Sequence, residues 1–421
     1  MKQYETYKDS GEEWIGEIPE HWTLTKIKNI SKIYGRIGFR GYTVQDIVEK
    51  DKGVISLSPS NIKNQKLDVE KGTYISLEKY EESPEIKIFN EDVIFVKTAS
   101  VGKVCFVENL LEEATLNPQL IVFKEIKCNN KFLYFVLVSE LMNFQIKRDL
   151  VGGVIPTLSQ SVINNYYLSI PSLKEQTQIA NYLNHKTAQL DTLIAKKEQL
   201  ISLLQEERTA MINKAVTKGL DPNVPMKYSG IEWLGEIPAH WEAKSMKYVT
   251  VLKSGENITS EKIKTKGCFA VYGGNGIRGY YSEYTNEGNY ILIGRQGALC
   301  GNIKYASGKF WASEHAIVCY LHNNYNWIWF GKLLEAMDLN QYNQSAAQPG
   351  LAIGLIKNLK IPSLNFEEQL KIVDFINDYE INTDKLINKY FEEINLLKEY
   401  KTALISEVVT GKVDIREEVL N

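Results

Sequence analysis

Ser10-Gly11-Glu12-Glu13-Trp14-Ile15-Gly16-Glu17-Ile18-Pro19-Glu20-His21-Trp22 returns 219 residues later as Ser229-Gly230-Ile231-Glu232-Trp233-Leu234-Gly235-Glu236-Ile237-Pro238-Ala239-His240-Trp241. Ten of the thirteen positions are identical, two rare Trp, one Pro and one His among them. Chance does not produce this, so the 421-residue chain is a tandem duplication whose period fixes the domain plan.

Downstream of each signature the same boundary recurs: Ile170-Pro171-Ser172-Leu173 and Ile361-Pro362-Ser363-Leu364. Lys174 to Thr217 then contains neither Gly nor Pro over 44 residues, about 66 Å of helix at ~1.5 Å per residue. A heptad seam fits this stretch. Ile179, Lys186, Leu193, Leu200 and Glu207 occupy one position; Leu183, Leu190, Lys197, Leu204 and Met211 occupy the other. Ile194, Ile201 and Ile212 widen the stripe, and Lys218-Gly219-Leu220-Asp221-Pro222 stops it. A helix with so narrow an apolar seam needs another helix beside it. The partner is in the same chain. A second helix is expected from about Phe366 to Thr410, and it matches the first at a constant offset of 193: Glu175-Gln176 with Glu368-Gln369, Leu193 with Leu386, Leu203-Leu204 with Leu396-Leu397. Joined through a globular domain, the two most simply pack antiparallel, with an approximate two-fold repeat.

Between signature and helix lie two mixed regions. In the first, Val54–Leu57, Tyr74–Leu77, Val93–Val96, Val104–Val107 and Leu120–Phe123 read as strands. Lys131 to Lys147 reads as one helix. The second is rich in Gly and Tyr, as in Val271-Tyr272-Gly273-Gly274-Asn275-Gly276. The expected fold class is therefore α+β. The divisions are signature 1–22, mixed domain 23–167, helical region 168–221, signature 222–241, mixed domain 242–358 and helical region 359–421. The two mixed domains share little sequence.

Hydrophobic content of 44% and charged content of 24% are those of an ordinary globular protein. No apolar run approaches the roughly 20 residues that span a bilayer, and residues 1–5 lack the apolar core of a signal peptide, so a cytoplasmic location is expected. The five Cys never form a C-x-x-C pair, and the five His do not cluster with carboxylates at metal spacing, so no metal site is expected. His21 and His240, beside Trp, read as packed structural residues. The net charge of −3 hides two basic segments. Lys26 to Lys63 holds eight Lys/Arg against three Asp/Glu, and Lys244 to Lys309 holds ten against four. Such a confined basic surface suits a nucleic-acid face, though charge alone fits a solvated loop surface equally.

Enzyme motifs are missing. There is no phosphate loop, no Asn-Pro-Pro-aromatic tetrapeptide of an amino-methyltransferase, no G-x-S-x-G and no H-E-x-x-H. The mixed domains do share a weak pattern, a strand running into a small-residue loop with a cation: Phe95–Lys103 and Ile293–Gly301. Arg295 could fork onto guanine and Gln296 onto adenine, while Lys97, Thr98, Ser100 and Lys103 could hold phosphates or base edges. Arg36, Arg40, Asn275, Arg278 and Lys304, from the basic segments, complete the candidate DNA contacts. A plain strand-turn-strand corner is the alternative.

The signatures, from Tyr7 and from Tyr228, together with the Ile-Pro-Ser-Leu…Glu-Gln openings of both helices, strongly resemble the specificity subunits of Type I restriction–modification systems, over the whole chain. The resemblance implies two target-recognition domains, each reading one half of a bipartite double-stranded DNA site. It also implies paired helices that set the spacing, and docking of two methyltransferase subunits. Restriction/translocase subunits would join them. S-adenosylmethionine, ATP and Mg2+ would be used by those partners, and this chain would hold no cofactor and perform no chemistry. Two other readings stay open on the residues: a coiled-coil adaptor that binds only proteins, and a stand-alone DNA-modifying enzyme with degenerate motifs.

Overall fold

The computed structural model describes residues 2–36, 41–150, 156–297, 299–343 and 350–418. The chain divides into two compact units. One is Met1–Lys197 with Glu392–Asn421; the other is Glu198–Phe391. Both expected long helices are present, as Leu173–Lys218 and Phe366–Val409. Each unit takes part of both. Within the first unit Lys401 pairs with Asp191 (2.7 Å) and Lys197 with Glu393 (2.5 Å). Residue numbers rise on one helix as they fall on the other, so the pairing is antiparallel. In the second unit Arg208 pairs with Asp384 (2.7 Å).

The buried stripe departs from the strict heptad. Ile179, Leu183, Thr187, Ile194, Ile201, Ile212 and Ala215 are buried on the first helix; Ile372, Ile376, Thr383, Ile387, Ile394, Ile405 and Val408 on the second. This spacing follows the natural helical repeat of 3.6, against which a 3.5 repeat drifts by about 20° per heptad. Leu193 and Leu200, placed in the seam by the heptad, are accordingly turned out, each 43% exposed, while the neighbouring isoleucines face in.

The signatures clasp the helix starts. Trp22 is fully buried, and its indole N–H donates to Glu175 Oε1 (3.2 Å); His21 Nε2 meets Glu175 Oε2 at 2.9 Å. In the second unit Trp241 donates to Glu368 Oε1 (2.9 Å) and His240 meets Oε2 at 3.0 Å. The next residue of each pair, Gln176 or Gln369, accepts from the backbone N–H of Asn129 or Asn326 (2.8 Å in both) and so ties down the N-cap of a domain helix. This is what the repeated Glu-Gln does. The other end of the opposite helix closes the arrangement. A Cβ on Gly411 would lie 2.4 Å from Pro19 Cδ, and one on Gly219 would lie 3.4 Å from the Trp241 ring. The first clasp is the fuller one, because Tyr4 also donates to Glu175 (2.7 Å). Burial and that carboxylate hold the Tyr4 phenol well above its ordinary range. Trp14 stacks on Phe144 at 5.3 Å, and Trp233 packs on the second core.

The chain enters and leaves each mixed domain through one antiparallel ladder: Thr23–Lys26 with Tyr167–Ile170, and Glu242–Ser245 with Lys360–Ser363. Inside, the two domains have one topology despite their dissimilar sequences. The first has an antiparallel sheet in the order Val104–Phe106, Val93–Val96, Leu120–Lys124, Lys32–Tyr34. The second repeats it as Ile303–Ala306, Tyr290–Gly294, Ala316–Leu321, Thr250–Ser254. A second sheet also recurs. Ala114–Leu116 lies parallel to Gly53–Leu57, and Lys309–Ala312 parallel to Phe269–Gly273. Each central strand is buried on both faces, which is why it reads as an unbroken apolar run. Val93 and Phe95 face the helix Asn130–Val138, while Ile94 and Val96 face the second sheet. Ile291 and Ile293 face Trp327–Ala336, with Leu292 on the other side.

The single helix expected over Lys131–Lys147 is two, Asn130–Val138 and Glu140–Asp149. The break is at Ser139, whose hydroxyl donates back to the Val136 carbonyl (2.6 Å) and competes with the backbone ladder. All five cysteines are free and all but Cys268 are buried. Among the described residues no group of His, Cys, Asp and Glu could hold a metal, and no helix is long and apolar enough to cross a membrane.

Candidate nucleic-acid interface

The two small-residue loops occupy equivalent places, fixed by the same backbone bonds. In the first domain Lys97 N–H donates to Gln119 O, and its carbonyl accepts from Leu158 N–H (2.9 Å each). In the second, Arg295 N–H donates to His315 O (2.8 Å), and its carbonyl accepts from Leu351 N–H (2.9 Å). Thr98 bridges Thr157 as Gln296 bridges Gly350. Gly102 N–H returns to Val96 O (3.0 Å) as Gly301 N–H returns to Gly294 O (2.7 Å). Lys97 therefore stands where Arg295 stands, and Thr98 where Gln296 stands. The second loop is one residue longer. Gly102 and Gly301 have φ of 91° and 89°, and a Cβ on Gly301 would lie 2.6 Å from Asn340 N, so the turn is glycine's.

In the second domain the sequence candidates converge. The turn between Phe269–Gly273 and Gly276–Tyr281 presses on the loop so closely that a Cβ on Gly294 would sit 2.2 Å from Gly274 O. Asn275 Oδ1 accepts from Asn302 Nδ2 (3.0 Å), Lys304 packs beside Gly276, and exposed Arg278 lies across Gly273. Arg295 donates to Ser254 Oγ (3.0 Å), which steadies its guanidinium. Gln296 is exposed, with its amide oxygen 2.8 Å from His315 Nδ1. In the first domain Lys97, Thr98, Ser100 and Lys103 share one loop, the first three half-buried and Lys103 exposed.

Arg36 does not belong with them. It is 3% exposed, and its guanidinium donates to Leu116 O (2.9 Å) and Thr115 Oγ1 (3.1 Å). That bond set fastens the end of one sheet to a strand of the other, and takes Arg36 out of reach of any outside ligand. Arg40 lies outside the described residues. Two residues escaped the sequence reading, Gln119 and His315. They flank the loops at equivalent positions, Gln119 held through Asn117 (3.1 Å) and His315 between Gln296 and Glu314 (3.0 Å). Both stand just before a buried apolar strand, outside any basic cluster. The only signal was their common place ahead of Leu120–Lys124 and Ala316–Leu321. Taken together, each loop offers a cation, side-chain donors and acceptors, and backbone close to the surface, a set able to read base edges and hold phosphates.

The sequence model of the Type I restriction modification DNA specificity domain matches residues 19–203 and 238–396. The Type I restriction enzyme EcoprrI specificity subunit of Escherichia coli is 37% identical over 147 residues, 34% of this chain and 37% of that one. A putative type I restriction enzyme MjaX specificity subunit of Methanocaldococcus jannaschii is 28% identical over 265 residues, 60% of this chain and 59% of its own. The chain thus spans less than two thirds of the length of either relative. In fold it is similar to the HsdS subunit of Thermoanaerobacter tengcongensis (TM-score 0.53, 14% identity, 94% of this chain and 98% of that one). It is also similar to a chain solved in work on assembly and conformational transition of the type I R-M system (TM-score 0.64, 15% identity, 94% and 99%). With the family matched twice along the chain, once per unit of the repeat, this protein belongs to the Type I restriction modification DNA specificity family.

Proposed function

We propose that this chain is the non-catalytic specificity subunit of a Type I restriction–modification complex acting in the cytoplasm. Each mixed domain reads one half of a bipartite duplex site through its loop. The long helices, the first of 46 residues and so about 69 Å long, set the spacing between half-sites, for which one helical turn of DNA is roughly 34 Å. Two methyltransferase subunits that use S-adenosylmethionine dock on this frame. Restriction/translocase subunits, with ATP and Mg2+, complete the assembly.

One observation carries the reading: a loop of identical backbone bonding is built twice with different side chains, Lys97 and Thr98 in one domain and Arg295 and Gln296 in the other. A surface kept in form and varied in chemistry is what two different half-sites require.

The test is methylome sequencing of cells that carry the intact gene or a version with residues 23–167 exchanged for another family member's domain. The expected result is a two-part methylated sequence in which only one part changes. A change in both parts, or no methylation that depends on the gene, sinks the proposal. Purified chain that by itself turns over S-adenosylmethionine or cuts DNA would favour the stand-alone enzyme instead.

A further inference from the structure

The strand Gly276–Tyr281 carries the recognition turn at one end and a second feature at the other. There the segment Ser260–Cys268 runs along the sheet edge. Lys264 and Tyr280 exchange backbone hydrogen bonds, both 2.9 Å. The segment is pinned closely: a Cβ on Gly279 would lie 2.5 Å from Ile263 Cγ2 and 2.6 Å from Lys264 O, and one on Gly267 would lie 2.8 Å from Tyr280 Cβ. An open cavity of about 420 Å³ results, lined by Lys262, Lys264 and Lys266 with Glu261, Tyr280 and Tyr281. All three lysines are exposed. Lys262 Nζ lies 5.9 Å from the Tyr281 ring, and Lys264 Nζ donates to the Glu261 carbonyl (3.2 Å). Among the described residues none of the three has a carboxylate within 4.0 Å. The acids nearest in sequence are Glu256 and Glu261.

The equivalent edge of the first domain is different. There Ile47–Val48 pairs with Thr73–Ser76. Residues 43–52 hold Asp46, Glu49 and Asp51 against Lys50 and Lys52, a net charge of −1; residues 259–268 hold one acid and three lysines, a net charge of +2. Lys52 is also paired with Glu49 at 2.7 Å. Tyr280 stands four steps along the strand from Gly276, about 13 Å at ~3.3 Å per residue. Along a duplex that is about four phosphates of one strand, at ~3.4 Å each. Lys304 beside Gly276 and exposed Arg278 lie on the way, so a basic track leads from the recognition turn to the lysine cavity.

We propose that Lys262, Lys264 and Lys266 form a DNA-backbone clamp. It grips phosphates about four base pairs from the bases read by the second domain, and the equivalent edge of the first domain, residues 43–52, has no counterpart. The clamp rests on the DNA-reading function proposed above. Its role is sequence-independent, because ammonium groups meeting phosphates add affinity without information.

The test uses the full-length chain and a duplex carrying the bipartite sequence defined by the methylome. Affinity is measured across a salt series for wild type and for the triple variant K262A/K264A/K266A. Each lost phosphate contact removes about 0.9 from the slope of log K against log salt, so the triple variant should lose about 2–3 and weaken on the order of a hundredfold near 0.1 M salt. The charge-keeping variant K262R/K264R/K266R should retain the wild-type slope, and methylation should keep its sequence in both. Phosphate ethylation on wild-type complexes should interfere about four base pairs from the second half-site and not at the matching distance from the first. An unchanged slope in the alanine variant, an altered recognition sequence, or symmetric interference would overturn the clamp. Failure of the wild type to bind the duplex at all would instead overturn the DNA-reading function itself.

Discussion

In the first recognition domain the loop after Val93–Val96 presents Lys97, Thr98 and Ser100; in the second the loop after Tyr290–Gly294 presents Arg295 and Gln296 from the same backbone bonds. The clasps beneath them differ in the opposite sense. There the side chains are the same, Trp, His and Glu, and only the surroundings vary, Tyr4 being present in one and without a counterpart in the other. The molecule thus keeps backbone and changes side chains in the loops proposed to meet DNA, and keeps side chains where it must hold its own parts together. Local chemistry explains why. A clasp has to satisfy a carboxylate that is nearly buried, with 5% of the Glu175 side chain exposed, and few residue sets do that. A loop whose backbone groups are already satisfied leaves its side chains free to vary.

The comparison breaks most visibly at the tryptophans. Trp22→Ala and Trp241→Ala should each cost about 3–5 kcal/mol, read as a fall in the urea midpoint of the unit concerned; if one is nearly costless, the clasps are not equivalent. Next come two arginines that the sequence placed together. Arg36→Ala should cost about 2–3 kcal/mol of stability, because two buried acceptors lose their donor, and should leave both half-sites unaltered in competition binding. Arg295→Ala should change stability by no more than about 0.5 kcal/mol yet lose about 1–3 kcal/mol of base discrimination in the second half-site alone. Smaller again is the difference between the two carboxylates. Glu175→Gln should destabilise by about 1.5–3 kcal/mol and Glu368→Gln by about 1, since the latter lacks the tyrosine and is 23% exposed. Thermal melts of the two variants compare them directly. Equal losses would show that Tyr4 adds nothing. Last, Lys50→Ala with Lys52→Ala, on the acidic edge of the first domain, should move DNA affinity by less than about 0.5 kcal/mol.

The frame was legible because its signals are long or repeated. A 44-residue stretch without Gly or Pro can hardly be anything but helix, and a thirteen-residue repeat gives the domain plan directly. Where a signal depended on the difference between 3.5 and 3.6 residues per turn it failed: Leu193 and Leu200 drifted out of the seam over a few turns. The shared topology of the recognition domains was hidden because their central strands are buried on both faces and lack the alternation that would align one domain with the other. Lys97 and Arg295 could be matched as loop cations. Arg36 could not be told from a surface arginine, because burial is a property of what packs around it and a basic segment looks the same either way. Gln119 and His315 were missed because they reach the loops through space, from another strand.

The ladders that close each domain, Thr23 opposite Ile170 and Glu242 opposite Ser363, bring the first and last residues of a whole domain side by side. For the gene this means that recombination has two safe pairs of breakpoints. A crossover within the codons of each ladder replaces everything between them, whatever its length, and returns the chain to the same spot on the same helix. The present pair already shows the tolerance, with 145 residues in 23–167 and 117 in 242–358. On the DNA-reading function proposed above, a lineage can therefore acquire a new address on DNA in one genetic event, with the frame that holds the domain left unchanged.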